Sequence, residues 1–330
     1  MSIFRVEVVK IHSINPHPNA DRLDIAYLEG MAYQVITAKG NLQPGDLAFY
    51  FPIDSVIPEK FLDEFGIRPY YSKKLRAAKL RGIFSEGLLI PVGKNFIANV
   101  GDDYTEYFGV TKYEYPIPRG MSGQMESPIG QYKFPSPENF KRYKELLIEG
   151  EEIVVTEKLH GTNFTVLVDA DGIPKIGSHN YFWKNNAGNK DLVYIRAYNE
   201  NVALQNLPPK TQIFGEIYGV QDIKYSLTNG KIGIALFAVR RGSHFLNYSD
   251  FIAFCEEFSL PRVPELYVGA YNWETISQFN NADSVLSPNC MMEGVVVQPL
   301  LERTHPEIGR VVLKLISDRY LLRKDGTELH

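Results

Sequence analysis

Over residues 1–105 the apolar positions come in short runs that alternate with polar ones and stop at turn residues, as in Phe4-Arg5-Val6-Glu7-Val8 and Leu47-Ala48-Phe49-Tyr50-Phe51. No long stretch there repeats on a helical period, so the pattern predicts a small β-barrel or sandwich. Gly101-Asp102-Asp103 and the Pro- and Gly-rich stretch 115–137 interrupt it, and residues 106–135 are expected to be a connector. Ser136-Pro137 then offers an N-cap with Pro at the first helical position. Phe140, Tyr143 and Leu147 come next on one face until Gly150, which predicts an amphipathic helix leading into a second domain over 136–330. Further on, strands are expected at 153–156, 164–168, 213–216, 232–239, 294–297 and 311–315, and a helix at 250–258. Strands and helices mix without the regular alternation of a doubly wound sheet, so the expected class is α+β.

Composition narrows this only a little. The chain has 330 residues, 44% hydrophobic and 22% charged, enough to bury real cores. A formal charge of -4 argues against a protein that coats a polyanion with its whole surface, but a local patch remains able to bind nucleic acid. No apolar run approaches the roughly 18 residues of a membrane span, and the opening MSIFRVEVVKIHS lacks the zones of a secretory signal, so no membrane partner and a cytoplasmic location are expected. Cys255 and Cys290 are too few for a disulfide framework, and no Cys/His spacing fits zinc.

The chain has no GxxxxGK[ST] loop, no GxGxxG opening a helix and no HExxH. The segment that carries chemistry is Thr156-Glu157-Lys158-Leu159-His160-Gly161-Thr162-Asn163-Phe164: a lysine at a strand end, a glycine-bearing turn, a second strand. Lysine, with a reference pKa of ~10.4, becomes a nucleophile only where burial or nearby positive charge favours the neutral amine. Taken alone, the motif occurs often by chance, and Lys158 reads more readily as a surface lysine beside a hairpin turn. Downstream, Phe214-Gly215-Glu216-Ile217-Tyr218-Gly219, Met292-Glu293-Gly294-Val295-Val296-Val297 and Val311-Val312-Leu313-Lys314-Leu315 each set a charge in or beside an apolar, strand-like run. Buried charges cost several kcal/mol unless paired or metal-bound, so these carboxylates and lysines suggest one polar pocket built by the sheet.

With Gly177-Ser178-His179-Asn180 and Ala235-Leu236-Phe237-Ala238-Val239, these segments resemble, in order, motifs I, Ia, III, IIIa, IV and V of the covalent nucleotidyltransferases, the superfamily of polynucleotide ligases and capping enzymes. The His160 variant of motif I is most similar to ATP-dependent RNA ligases of the nick-sealing kind. Asn15-Pro16-His17-Pro18-Asn19-Ala20-Asp21-Arg22-Leu23 and Leu80-Arg81-Gly82-Ile83-Phe84-Ser85-Glu86-Gly87-Leu88-Leu89 resemble the branch with an OB domain ahead of the transferase domain. DNA ligases and capping enzymes instead carry that domain after motif V. The resemblance implies an N-terminal OB-type β-barrel over 1–105 that binds RNA, then a nucleotidyltransferase domain with ATP-grasp-like antiparallel sheets and flanking helices.

It also implies a three-step reaction using ATP and Mg2+, with Mn2+ as an alternative metal. Lys158 takes AMP from ATP, AMP passes to an RNA 5'-phosphate, and a 3'-OH displaces it; a nicked duplex is one form of such a substrate, and RNA repair the expected setting. By residue-wise carry-over, Glu157 lies beside the adenine with Leu159 and Gly161 in the nucleotide-binding turn. Asn163 and Glu216 contact ribose or metal-bound water, Glu293 orients the hydrated metal, and Lys314 binds the α-phosphate. Phe237 either stacks on the purine or is an ordinary core residue. His160 is either a histidine satisfied in its turn or one that positions metal or RNA. Three departures stand out: His179 replaces the usual Arg of motif Ia, Val312 replaces the first of two motif V lysines, and Ala238 follows Phe237. Lys184, Arg323 and Lys324 are the candidates for the missing charge. Lys73, Lys74, Arg76, Lys79 and Arg81, beside Tyr70 and Tyr71, read either as an RNA-contacting patch or as a solvated face. The alternatives in function are a noncatalytic RNA-binding protein on a transferase scaffold, and a DNA ligase or GTP-using capping enzyme.

Overall fold

β-branched and aromatic runs govern both halves of the computed structural model, which describes residues 3–93, 95–113, 125–126, 132, 134–179 and 181–323. It divides into two units, one formed by Ser2–Glu114 with Glu138–Glu145, the other by Tyr115–Pro137 and Leu146–His330.

In the first unit, strands β1 (Glu7–Pro16), β2 (Leu23–Leu28), β3 (Gln34–Ala38), β4 (Leu47–Phe51) and β7 (Leu88–Pro91) form an antiparallel sheet in the order β3-β2-β1-β4-β7. A hairpin of β5 (Ala78–Leu80) and β6 (Ile83–Ser85) accompanies it. This is a nearly closed OB barrel: of the barrel and sandwich that the short alternating runs left open it is the barrel, of the type the resemblance implies. One side of β4 packs Phe49 and Phe51 against Phe61 and Phe108, all buried, and the other sets Tyr50 against Tyr33 with ring centroids 4.8 Å apart. Burying each such ring contributes about 1.5–3 kcal/mol. Gly87 has φ +94, and a Cβ there would meet the Tyr50 ring at 2.4 Å, so only glycine lets the chain pass.

The two segments that resemble the OB branch meet. His17 is buried, its Nε2 bonded to the Leu80 carbonyl at 3.1 Å, and the Asn19 amide donates to the Arg81 carbonyl at 3.0 Å. The helix expected from residue 137 is shorter. Asn139, not Ser136, is the N-cap, accepting from the Lys141 N–H, and one α-turn (Phe140–Tyr143) passes into a 3-10 turn (Lys144–Leu146). Its side chains belong to the first unit: Lys141 Nζ donates to Glu86 at 2.7 Å, and Arg142 pairs with Glu7. Ser136-Pro137 carries the helix signal, but the tertiary ion pairs set the actual start.

In the second unit β8 (Glu152–Lys158) buries Ile153, Val154 and Val155 completely, as a strand covered on both faces must. It lies in a sheet ordered β15-β14-β8-β13, with β13 (Glu265–Ala270), β14 (Gly294–Pro299) and β15 (Leu313–Ile316). A second sheet runs β10-β9-β11-β12, from β9 (Gly161–Val168), β10 (Pro174–Gly177), β11 (Thr211–Tyr218) and β12 (Gly233–Arg241). The expected helix is Tyr248–Glu257, whose Phe251, Phe254 and Cys255 share a core with Ile213, Leu236 and Val239. β8 and β9 belong to different sheets and are joined only by the Leu159-His160 turn, so that turn passes the chain from the end of β8 straight into an interior strand of the neighbouring sheet. No helix among the described residues is long and apolar enough to cross a membrane.

Candidate active site

Lys158 closes β8 opposite Gly294 of β14. That partner has no side chain, and a Cβ there would meet the Leu315 carbonyl at 2.2 Å. Thr156, Val296 and Lys314 lie side by side across β8, β14 and β15, and because side chains alternate along a strand, Lys158 and Lys314 share one face. Glu293, just before β14, meets Lys158 directly: Nζ to Oε1 is 2.6 Å, with the lysine side chain 27% and the glutamate 10% exposed. The structure thus brings Lys158 and Glu293 together on the face that bears Lys314, with part of the lysine side chain open to solvent.

Glu216 joins it from the other sheet. Asn163 of β9 pairs with Glu216 of β11, which sets that carboxyl near the Gly161 N–H, whose dipole eases its ionisation. Burial pushes Glu216 up to about 8; Lys158 opposes that rise and Glu293 adds to it. Two carboxyl groups thus sit near one ammonium, Glu293 as its ion-pair partner and Glu216 as a largely neutral acid at pH 7. Asn163 Oδ1 is buried without a protein partner, a donor-seeking atom beside the same carboxylate. Gly161 packs so closely on β11 that a Cβ would meet the Ile217 carbonyl at 2.1 Å.

Glu157 points to the other side of β8. It is buried, its Oε2 accepts from the Val285 N–H at 3.1 Å, and its Oε1 has no protein partner. Burial raises its pKa, offset in part by the Ser284 hydroxyl and the Val285 N–H. Leu159 is buried beside Tyr225, Ala235 and Val263, with Phe237 packed on that cluster. Phe237 is the extra residue of a β-bulge, since Phe214 pairs with Ala238 and Gly215 with Leu236. Bulges re-aim a side chain. Phe237 stays half-buried, 5.1 Å from Phe134, rather than sealed in the core.

His160 is buried and answered on both nitrogens: Nε2 lies 2.7 Å from Asp222 Oδ1, and Nδ1 2.9 Å from the Tyr320 hydroxyl. Burial lowers its pKa, although Glu293 and Asp222 pull upward. His160 is thus satisfied in its turn. Asp222, Tyr225 and Tyr320 are the residues that sequence reasoning missed, and nothing in their local spacing marks them. Of the candidates for the missing charge, Arg323 reaches this cluster, 3.6 Å from Asp222 and stacked 3.6 Å over Tyr320. Lys184 is exposed, and Lys324 lies outside the described residues. Val312 is buried. His179 comes just after β10, half-buried, on the flank of β9 away from β11; Asn180 lies outside the described residues.

The cation patch of the first unit is less uniform than its sequence suggested. Lys73, Arg76, Lys79 and Arg81 are exposed, as is Tyr70 at 90%. Lys74 is instead drawn inward by Asp54 at 2.7 Å, and the Tyr71 hydroxyl accepts from the Ile57 N–H.

An OB barrel followed by a transferase domain with a strand-end lysine, two acids and a second lysine on its sheets defines a ligase-type nucleotidyltransferase. The chain belongs to the RNA ligase family, whose model matches residues 151–316, while an OB-fold domain model matches residues 5–92. Among solved structures it is similar to Naegleria gruberi RNA ligase. A lysine-to-alanine mutant of that protein with ATP and Mn shares 26% identity over 96% of this chain and 98% of that chain, with a TM-score of 0.78. A glutamate-to-alanine mutant with AMP and Mn shares 25% identity over 97% and 98%, TM-score 0.78. The form with pyrophosphate shares 26% identity over 97% and 98%, TM-score 0.77. A search of curated protein sequences returns no match.

Proposed function

We propose that this chain is an ATP-dependent RNA ligase that seals RNA 3'-OH and 5'-phosphate ends, in a nicked duplex among other forms, through a lysyl-AMP intermediate, and that it serves RNA repair. The observation that carries this reading is the 2.6 Å contact between the Lys158 amine and Glu293 on the face that also bears Lys314. Glu293 is placed to accept the proton that Lys158 must shed. The amine then attacks the α-phosphorus of ATP, a P–N bond forms, the α–β P–O bond breaks, and pyrophosphate leaves. AMP next passes to the RNA 5'-phosphate, which frees the lysine. Finally the 3'-OH attacks that phosphorus and AMP departs. Each step is displacement at phosphorus, so positioning and charge neutralisation supply most of the acceleration.

In this reading Glu157, with its open Oε1, faces the adenine, and Leu159 and Gly161 shape the turn against the nucleotide. Phe237 stacks on the purine, Asn163 and Glu216 reach the ribose or a metal-bound water, and Lys314 holds the α-phosphate. His179 lies nearer the RNA terminus. Among the described residues no group of three or more His, Cys, Asp or Glu could cage a metal. Mg2+ does not need one, because it keeps several waters and takes one or two carboxylates plus substrate phosphate. Glu216 and Glu293 with the open Asn163 oxygen fit that demand, and Mn2+ would fit the same donors. A divalent ion there would supply positive charge to the phosphates. The exposed Lys73, Arg76, Lys79 and Arg81 with Tyr70 would contact RNA, and Lys74 only through its stem.

Purified protein with Mg2+ and ATP or GTP labelled at the α-phosphate should yield a covalent adduct with ATP alone, lost in Lys158→Ala. Labelling with GTP would move the reading to a capping enzyme. No adduct in protein first stripped of AMP with pyrophosphate would leave a noncatalytic RNA-binding protein. Nicked duplexes with RNA or DNA on each side of the break then separate an RNA from a DNA ligase.

A further inference from the structure

The nucleophile must present one nitrogen in line with one phosphorus, yet lysine has a long, flexible side chain and Lys158 is the last residue of its strand. The turn beyond Lys158 is pinned to an unusual degree. The His160 N–H donates to the Tyr225 hydroxyl at 2.6 Å, and the Gln221 side-chain amide donates to the Gly161 carbonyl. The His160 ring is gripped at both ends, by Asp222 and by Tyr320. A carboxylate can only accept, so the ring carries its proton on Nε2 and its Nδ1 accepts from Tyr320. These contacts come from the segment after β11 and from the short helix Asp318–Leu321, neither of which contains any of the six motifs. Nδ1 is also 3.9 Å from Glu293 Oε2, so the ring walls the Lys158–Glu293 pair.

We infer that Asp222 and Tyr320 are positioning residues for the nucleophile, acting through His160 to hold the Leu159-His160-Gly161 turn, and with it Lys158, against Glu293. His160 works as a brace and not as a ligand of phosphate or metal, since both its nitrogens are committed. Arg323 completes the brace by facing Asp222 Oδ2 at 3.6 Å and covering the Tyr320 ring. This rests on the ligase reading for its kinetic consequence, but the geometry of Lys158 can be read without turnover.

The test compares Asp222→Leu, which keeps the bulk and removes the acceptor, with Asp222→Asn, which keeps an acceptor oxygen, and with Tyr320→Phe. In single-turnover adenylylation, Asp222→Leu should lower the rate at saturating ATP at least tenfold with KM for ATP within twofold. Tyr320→Phe should lower it severalfold, and Asp222→Asn should stay within threefold of wild type. A general loss of fold would move KM and thermal stability together and would not be rescued by Asn. Without ATP, acetylation of Lys158 by a limiting amine reagent, read by mass spectrometry against the other lysines, should rise at least twofold in Asp222→Leu as Nζ leaves Glu293. That readout stands even if wild type forms no adduct, which would strike only the ligase reading. Unchanged acetylation and adenylylation in Asp222→Leu, or an Asn variant as slow as the Leu variant, overturns the brace. If Asp222→Leu does not fold, Tyr320→Phe alone decides: an unchanged rate and acetylation overturn it.

Discussion

Each unit of this protein contains a lysine bonded to a buried glutamate, and the two pairs differ in every respect that matters for chemistry. In the OB unit Lys141 meets Glu86 at 2.7 Å, with side chains 10% and 3% exposed and the ammonium 4.9 Å over the Phe84 ring. In the transferase unit Lys158 meets Glu293 at 2.6 Å, but 27% of the lysine side chain remains exposed and a second carboxyl group, Glu216, sits near it. The first pair is closed and ties residues 138–145 to the barrel. The second is open, and burial holds its neighbouring carboxyl, Glu216, up to about 8, so that group is largely neutral at pH 7 and would ionise fully only beside an added cation. A buried ion pair gains little net stability against a hydrophobic replacement, while an accessible one is a reagent.

The largest expected effect breaks that contrast at its reactive end. Lys158→Met with Glu293→Leu should reduce adduct formation by about 10^3-fold or more, as loss of a nucleophile does, with little change in urea unfolding. The mirrored experiment sharpens it. Lys141→Ala, which strands Glu86, should cost about 3–5 kcal/mol in urea unfolding, whereas Lys141→Met with Glu86→Leu should recover most of that. Adenylylation per folded molecule should stay near wild type in both.

A smaller effect concerns Glu157. Burial holds its pKa above the ordinary 4.5, so the folded chain binds that proton more tightly than the unfolded one. The stability this supplies is full below about pH 4.5 and is lost as pH rises through the raised folded value. Glu157→Gln should therefore lose less stability than wild type over that rise, measured as melting temperature across a pH series. Equal slopes would place the group in water-like surroundings. Smaller still, Lys79→Ala with Arg81→Ala should flatten the salt dependence of single-stranded RNA binding by a slope of about 1.4, at about 0.7 per lost phosphate contact. Lys74→Ala should leave that slope nearly unchanged, because Asp54 already holds the lysine.

Much of the architecture was legible in advance. The short alternating runs read as a small β-barrel or sandwich and the resemblance of residues 15–23 and 80–89 made it an OB barrel, which is the fold found, and the apolar runs at 153–156 and 294–297 lie within neighbouring strands of one sheet. The helix signal at Ser136-Pro137 misled because Lys141 and Arg142 bind partners more than fifty residues away, contacts that no local pattern carries. Lys158, Glu216, Glu293 and Lys314 could be singled out because a charge in an apolar run demands a partner. Asp222 and Tyr320 could not be, being 62 and 160 residues from His160 and set in unremarkable segments.

From residue order alone came the strand periodicity, the six motifs and the lysine at a strand end, since local propensity and burial act over a few neighbours. Only the tertiary structure decided which glutamate that lysine meets, that His160 is fully bonded, that Phe237 sits on a bulge and that Lys74 turns inward. Each of these depends on strand register and on contacts between distant segments, where a one-residue slip would exchange one face of a sheet for the other.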